Sequence, residues 1–404
     1  MSQLPLRIAI AGIGGFGSAH HQNLLSLEEN GVCKVVATCD PKAAELEAIQ
    51  QKYRFAERGV AVYTDFTAML DAHQGGFDLV TLATPIGLHA PMHRACVERG
   101  LACYLEKPPT LDPEELEAMI RTDNEAAQAG RATQVGYNYI YLPHRQELKR
   151  RILAGEFGRL QRVSFYGMWP RSRSYYTRNN WAGRLLLGDT ILLDSCCGNA
   201  MSHHLHNILF FGGLEGQHCW GHPRAVEAEL YRANPIEGTD TVFARGELEN
   251  GVEFRIAAGH PCDQPSSSTL EILTCEEAEI EIDSGARTLK IRHRNGRLEE
   301  SEAAPPILKE NFALYGRYLG GKEERPPTLL SDCRGFVALN ALLYLATDGI
   351  ATVPAPHAAE IPVPGNDGDR VYVIHGLCDI GRRMIDTGEF PSEQGCVAWA
   401  RPGG

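Results

Sequence analysis

The run Arg7-Ile8-Ala9-Ile10-Ala11-Gly12-Ile13-Gly14-Gly15-Phe16-Gly17 joins a short apolar strand to a G-x-G-x-x-G turn, and a helical segment through His21 and Leu24 follows it. Glycines in such a turn let the backbone bend tightly and approach a pyrophosphate, while the helix N-terminus offers N–H donors and a positive dipole. A second strand ends at Asp40, twenty-three residues past Gly17. There a carboxylate can accept bonds from both hydroxyls of a ribose. Strand, turn, helix, strand and acid together predict a dinucleotide site. Asp40 would repel a 2'-phosphate, so NAD is expected, and Lys42 two residues on leaves NADP open.

Outward from this unit, apolar runs of strand length alternate with helical patterns as far as Gly136. Strands are expected at residues 7–11, 35–39, 61–63, 79–83, 102–105 and 133–136. Helix starts are signalled at Asp40-Pro41, Thr64-Asp65 and Asp112-Pro113-Glu114-Glu115. This rhythm predicts an α/β fold, a doubly wound parallel sheet of Rossmann type over residues 1–138. After a helix at 143–154 come strand-like segments at 161–169, 225–231, 239–248, 252–259, 269–275, 279–283 and 288–292, with hairpin dipeptides Asn250-Gly251 and Asn295-Gly296. A second, α+β domain with an open, largely antiparallel sheet is expected over 139–404. Helices are expected at 309–319, 332–347 and 370–387, with a surface connector at 353–369; residues 353–404 read as an extension without an assigned role.

The chain has 404 residues, more than one hydrophobic core usually organises, in keeping with two domains. Hydrophobic residues at 43% and charged residues at 22% exclude long disorder, collagen-like sequence and coiled coil. With 39 Lys and Arg against 51 Asp and Glu, a formal charge of -12 would repel a nucleic-acid backbone and an anionic bilayer, so neither is an expected partner. The sequence has no apolar run of about 18 residues, and its start, MSQLPLRIAI, lacks a basic segment leading into a cleavable apolar stretch. A cytoplasmic location is expected. The twelve cysteines are scattered without a C-x-x-C and read as reduced structural thiols.

Three further segments stand at expected strand ends: Ala83-Thr84-Pro85 with His89 four residues on, Glu106-Lys107-Pro108, and Gly136-Tyr137-Asn138. In that order they resemble the glucose-fructose oxidoreductase, inositol dehydrogenase and MocA (Gfo/Idh/MocA) family. The resemblance runs from Arg7 to about Thr347 and is looser in the second domain. It implies that Thr84, Pro85, His89 and Glu106 join Gly12, Gly14, Gly15, Phe16, Gly17 and Asp40 around the cofactor, with Lys107 at the nicotinamide edge and Tyr137 and Asn138 toward the substrate. It also implies that the open sheet forms a substrate wall and an oligomer interface, hence a homodimer or homotetramer joined sheet to sheet. Lys107 follows an apolar strand and precedes a proline that stops the strand continuing, so its ammonium can be aimed into a crevice at the carboxyl ends. There it would hydrogen-bond the reacting oxygen and share in proton transfer.

The family's second catalytic segment has the pattern Asp-x-Gly-x-His at a helix start. Here residues 193–207 read LDSCCGNAMSHHLHN, and counting back from Gly212-Gly213 places His203 on the family histidine and Asn199 on its aspartate. Asp194 stands five residues earlier. Either Asn199 takes the position without charge or a longer loop returns Asp194 to it, so both join Lys107 and His203 as catalytic candidates. His206 shares a helix face with His203 and reads as a substrate contact, whereas His204 reads as structural. No metal is expected, because the only convincing third ligand beside the histidines would be Asp194 or a cysteine on a loop. Cys196 and Cys197 read as packed thiols.

Residues 169–181, WPRSRSYYTRNNW, interleave aromatic planes with Arg and Asn, as a polyol pocket requires; Arg178, Asn179 and Trp181 are the expected contacts. The function expected is an NAD(P)-dependent oxidoreductase passing a hydride between the nicotinamide and a secondary alcohol or ketone of a sugar, sugar derivative or cyclitol. Alternatives are an NAD-dependent glycosidase working by transient oxidation and elimination, and a non-enzymatic cofactor-sensing regulator, against which Lys107 counts.

Overall fold

The computed structural model describes residues 5–73, 75–262, 268–363, 365–396 and 399. It divides into two compact units, residues 1–141 with 306–333 and residues 142–305 with 334–404.

In the first unit β1 (Leu6–Ala11), β2 (Cys33–Cys39), β3 (Ala61–Tyr63), β4 (Leu79–Leu82), β5 (Ala102–Leu105) and β6 (Gln134–Val135) form a parallel sheet in the order β3-β2-β1-β4-β5-β6. β4 and β5 are buried at every position, which is why they read as unbroken apolar runs rather than alternating ones. Between the strands lie α1 (Gly17–Glu29), α2 (Glu47–Lys52), α3 (Phe55–Arg58), α4 (Phe66–Ala72), α5 (His89–Glu98) and α6 (Pro113–Gln128). The side chains of Asp65 and Asp112 cap α4 and α6 as expected. Asp40 caps no α-helix directly: a 3₁₀ turn over Ala43–Leu46 leads into α2, one carboxylate oxygen accepts from Lys42 N–H before that turn, and the other turns to the glycine loop.

A segment expected in the second domain belongs to this unit. Its helix, α10 (Leu308–Leu319), lays Phe312, Tyr315 and Tyr318 into a core with Ile8 and Tyr104. The hydroxyls find partners there: Tyr315 Oη donates to Ala132 O at 2.9 Å, Tyr318 Oη accepts from Ala132 N–H at 3.0 Å, and Tyr104 Oη accepts from Asn311 Nδ2 at 2.9 Å. Thr328 O accepts from Val135 N–H, satisfying a donor at the edge strand β6. The single boundary expected at residue 138 is therefore replaced by a chain that leaves at Tyr141 and returns for 306–333.

The second unit carries a nine-stranded mixed sheet. Its strands are β7 (Leu160–Met168), β10 (Pro223–Arg232), β11 (Thr241–Leu248), β12 (Glu253–Gly259), β13 (Ser268–Cys275), β14 (Ala278–Asp283), β15 (Thr288–His293), β16 (Leu298–Glu302) and β17 (Ile350–Thr352), in the order β16-β15-β14-β13-β7-β12-β11-β10-β17. β7 with β12 and β10 with β17 are parallel; the other neighbours are antiparallel. A short hairpin joins β8 (Leu186–Leu187) to β9 (Thr190–Ile191). The helices are α7 (Pro143–Leu153), α8 (Arg173–Thr177), α9 (Ser202–Gly212), α11 (Arg334–Leu345) and α12 (Leu377–Thr387). The connector expected at 353–369, with the start of the helix expected at 370, is instead a hairpin of β18 (Ala358–Val363) and β19 (Asn366–Ile374).

α12 gives the C-terminal region a role that the sequence did not show. Alternation along β7 sends Phe165 to α9, where it stacks on His204, and sends Tyr166 and Met168 to the opposite face, against Gly381 of α12. Leu377, Met384, Ile385, Phe390 and Trp399 share a core there with Tyr166, Met168, Phe243 and Leu270. Arg255 donates to the Ile385 and Asp386 carbonyls near the end of α12, where a cation also meets the negative end of the helix dipole. Farther along the same face β14 to β16 carry ion pairs, Lys290 with Glu300 and Arg292 with Glu279. The sequence reading leaves this face open for sheet-to-sheet association. In the structure its apolar part is covered by the chain's own helix and its remainder is charged, so that argument for a homodimer or homotetramer lapses.

Among the described residues no helix is long and apolar enough to cross a membrane. Nine of the twelve cysteines are buried, Cys196 and Cys197 among them. Met384 is fully buried under α12. Met384→Ala should cost about 2–5 kcal/mol, read from the urea midpoint at unchanged slope. A chain ending before Leu377 should self-associate through the uncovered face; a truncated chain that stays monomeric and as stable as the intact one would overturn the role given to α12.

Candidate active site

Because β1 to β6 run parallel, the segments that follow them emerge along one edge of the sheet. The glycine turn follows β1, Asp40 follows β2, Thr84 β4, Lys107 β5 and Asn138 β6. At Gly12, with φ at 105°, a Cβ would stand 2.6 Å from Ala83 O; at Gly17 one would stand 2.4 Å from Gly12 O. Neither position admits a side chain. No side chain caps α1, and nothing lies within 4 Å of where a Cβ on Gly15 would be, so a phosphate can come up to the first-turn N–H groups.

Asp40 Oδ2 accepts from Ile13 N–H at 2.9 Å and Gly14 N–H at 3.3 Å, and Oδ1 accepts from Lys42 N–H at 2.9 Å. Backbone donors thus hold the carboxylate at the glycine loop. The Lys42 ammonium is largely exposed and lies 4.0 Å from Glu45. Thr84 Oγ1 and Asn138 Oδ1 are buried with no hydrogen-bond partner among the described residues, a condition folded proteins seldom leave unanswered. The cradle, the placed acid and the unanswered Thr84 hydroxyl fit a dinucleotide.

Lys107 is half-buried at the carboxyl end of β5, and a cis peptide joins it to Pro108. Glu106 beside it is buried; its Oε1 accepts from His20 Nε2 of α1 at 2.8 Å and its Oε2 from Lys107 N–H at 3.2 Å. A Cβ on Gly136 would stand 3.2 Å from the same carboxylate, so the glycine of Gly136-Tyr137-Asn138 leaves room for it. His89 is buried with Nε2 2.9 Å from Thr84 O and Nδ1 3.0 Å from Pro108 O, and burial holds its pKa below the ordinary histidine value.

In the second unit the segment before α9 folds into a π turn over Cys196–Ala200, which the Ser195 hydroxyl caps by accepting from Gly198 N–H at 2.8 Å. Asp194 and Asn199 come together at its mouth: Asn199 Nδ2 donates to Asp194 Oδ1 at 2.8 Å, and Gly183 N–H donates to Oδ2 at 2.6 Å. Leu193, just before, sits at φ 41°, an uncommon conformation for a residue with a side chain. Ser202 Oγ donates to Asn199 O at 2.9 Å, tying the turn to α9. His203 is the second residue of that helix and is half-buried.

Residues 6–137 match the Gfo/Idh/MocA model, described as an oxidoreductase family with an NAD-binding Rossmann fold. The match covers the part of the chain that forms the parallel sheet. Inositol 2-dehydrogenase 4 of Saccharopolyspora erythraea is 34% identical over 159 residues, 39% of this chain and 44% of its own length. The scyllo-inositol 2-dehydrogenase (NAD(+)) of Bacillus subtilis is 30% identical over 156 residues, 38% of this chain and 42% of its own. The chain spans less than half the length of either relative. A solved structure of the WlbA dehydrogenase from Bordetella pertussis, in complex with NADH and UDP-GlcNAcA, matches with a TM-score of 0.67 at 22% identity, covering 84% of this chain and 96% of that one. That likeness shows a shared fold.

Several residues that the sequence reading places at ligands are otherwise engaged. Both ring nitrogens of His89 face carbonyls, of which a neutral ring donates to one, so it packs between the Thr84 loop and the Pro108 loop. Pro85 and Phe16 are exposed, at the loop after β4 and at the head of α1. Tyr137 is fully buried. His206 is fully buried too, its ring 5.2 Å from Trp220 and 6.5 Å from Phe336, because ten of the eleven residues of α9 are buried and helical spacing there marks no open face. It is a core residue, not a substrate contact. Arg178 lies over the rings of Tyr175 and Trp181, at 3.7 and 5.1 Å, and occupies aromatic faces expected to meet a sugar. Asn179 Oδ1 accepts from Trp181 and Ala182 N–H and so fixes a turn.

Sequence reasoning missed two supports. His20, three residues past Gly17, is buried and joins α1 to Glu106; its place on the inner face of the helix was the available signal. Glu271 holds α9 from beneath, accepting from Arg145 at 2.6 Å, His204 at 2.6 Å and Asn207 at 2.9 Å. Burial alone would raise its pKa; the Arg145 charge and the His204 bond outweigh that and bring it to about 2. Burial also lowers the His206 pKa to about 3. An unfolded chain takes up this proton near pH 6.5 and the folded one does not, so stability should fall as pH drops from about 6.5 toward 3. His206→Phe should flatten that part of the urea-midpoint profile, and a parallel decline in variant and wild type would refute the burial reading.

Proposed function

We propose that this chain is an NAD-dependent oxidoreductase acting on a secondary alcohol or ketone of a sugar, sugar derivative or cyclitol. The observation that carries the reading is one sheet edge bearing the glycine turn, Asp40, Thr84, Lys107 and Asn138. Inositol and scyllo-inositol dehydrogenases among the relatives support the substrate class.

The glycine turn and the head of α1 take the pyrophosphate, and Asp40 exchanges its backbone donors for ribose hydroxyls. Bound NAD would supply the hydride acceptor. Lys107 donates to the reacting oxygen and stabilises charge on it as the alcohol loses its proton. Asn138 Oδ1 accepts from a substrate hydroxyl. In the second unit His203 is the acid–base candidate, and the bonded Asp194 and Asn199 hold the turn from which its helix starts. Asp194 keeps the negative charge that Asn199 lacks, so both candidates serve together. A cytoplasmic location accords with this chemistry.

Incubation with NAD and a panel of sugars and cyclitols, followed at the absorbance of the reduced cofactor, tests the reading. Released sugar without reduced cofactor would instead favour a glycosidase. On a turned-over substrate, Lys107→Ala should lose about a hundredfold in kcat, roughly 2–4 kcal/mol of transition-state stabilisation, with NAD affinity little changed. Wild-type turnover by that variant would defeat the assignment. NAD should bind more tightly than NADP, since Lys42 lies by Glu45 and leaves Asp40 to face a 2'-phosphate without a paired cation. NADP binding tenfold tighter would reverse this.

A further inference from the structure

We infer that the second unit carries an accessory saccharide subsite, so that the substrate is a glycoside or oligosaccharide rather than a free monosaccharide; this rests on the sugar-oxidoreductase reading above. A cleft of about 550 Å³ opens between α8 with the turn after it and the segment that follows β10. Arg173, Thr177, Asn180, Arg184, Asn234 and Glu237 line it. These side chains supply guanidinium, hydroxyl and amide donors beside amide and carboxylate acceptors, the mixture that a neutral polyhydroxylated ring satisfies. A free phosphate would meet the Glu237 carboxylate, and an apolar ligand would strand the polar groups. Tyr176, Pro235 and Ile236 add the small apolar surface that a sugar ring presents to a protein.

The second observation is Asn234. It is 2% exposed, and its Nδ2 and backbone N–H both donate to Asp240 Oδ2 at 2.8 Å, yet its Oδ1 has no hydrogen-bond partner among the described residues. An acceptor left unanswered at the cleft wall invites a hydroxyl. The walls are fixed in advance: Gly238 N–H donates to Gly183 O at 2.8 Å, Leu185 N–H to Glu237 Oε2 at 3.3 Å, and Arg232 to the Ile236 and Glu237 carbonyls. These bonds hold the backbone of the walls before a ligand arrives.

The cleft is tied to the candidate catalytic turn by one residue. Gly183 lines the cleft, and its N–H donates to Asp194 Oδ2 at 2.6 Å. A second ring held in the cleft would therefore lie one peptide from the Asp194 and Asn199 pair, close enough to place an attached ring at the turn that carries His203.

Calorimetry on the full chain with maltose, cellobiose and sucrose, each against its component monosaccharides, tests this without requiring turnover. At least one disaccharide should bind tenfold or more tighter than its components, and Asn180→Ala with Arg184→Ala, both exposed positions, should remove that difference. Where turnover is seen, the ratio of kcat/KM for disaccharide over monosaccharide should fall at least tenfold in the double variant. Equal binding of disaccharides and monosaccharides, or a preference that survives in the double variant, overturns the subsite. Cofactor reduction with no such preference would sink the subsite and leave the oxidoreductase reading standing; disaccharide preference without cofactor reduction would do the reverse.

Discussion

The cofactor edge depends on how closely two backbones approach where β1 and β4 end. A single methyl group on Gly12 would meet the Ala83 carbonyl at 2.6 Å, and one on Gly17 would meet the Gly12 carbonyl at 2.4 Å. These two contacts set the start of α1 against the loop after β4, so Thr84 and the helix head share one crevice. His20, one turn into that helix, then reaches Glu106, and Glu106 takes the N–H of Lys107. The position of the lysine backbone therefore follows from the glycines through two hydrogen bonds, one buried and one partly so, rather than from its own loop alone.

The second unit solves a similar problem with charge. α9 is buried almost all round and has no solvent-exposed side to set its rotation. Glu271 sets it instead, by drawing His204 and Asn207 of the helix and Arg145 of α7 onto one carboxylate. Breaking such a pair by removing one partner leaves the other charge buried, which makes the arrangement stiff.

The first sheet was readable because parallel strands buried on both faces write themselves as apolar runs, and because Asp, Pro and Gly punctuate them. Asp194 and Asn199 were left as alternatives because a linear count cannot see a π turn; the turn brings them within 2.8 Å of one another. His206 was misplaced since a helical face means nothing on a helix without a solvent side. Arg178 was misplaced because spacing shows which residues are near a ring and not which of them already covers it. Residues 306–333 and α12 gave no local sign of their partners, Tyr104 and Tyr166, which lie some two hundred positions away in the chain.

That last arrangement bears on the order of events during synthesis. The bed around Ile8 and Tyr104 stays uncovered until Tyr318 has been made, and the face around Tyr166 and Phe243 until Met384 has. Neither unit can close as a simple N-terminal domain emerging from the ribosome, because each waits for a segment encoded beyond most of the other. Loops of this length close slowly, and apolar surface exposed meanwhile is open to misassembly. The nascent chain therefore passes through a long interval in which two cores stay open at once.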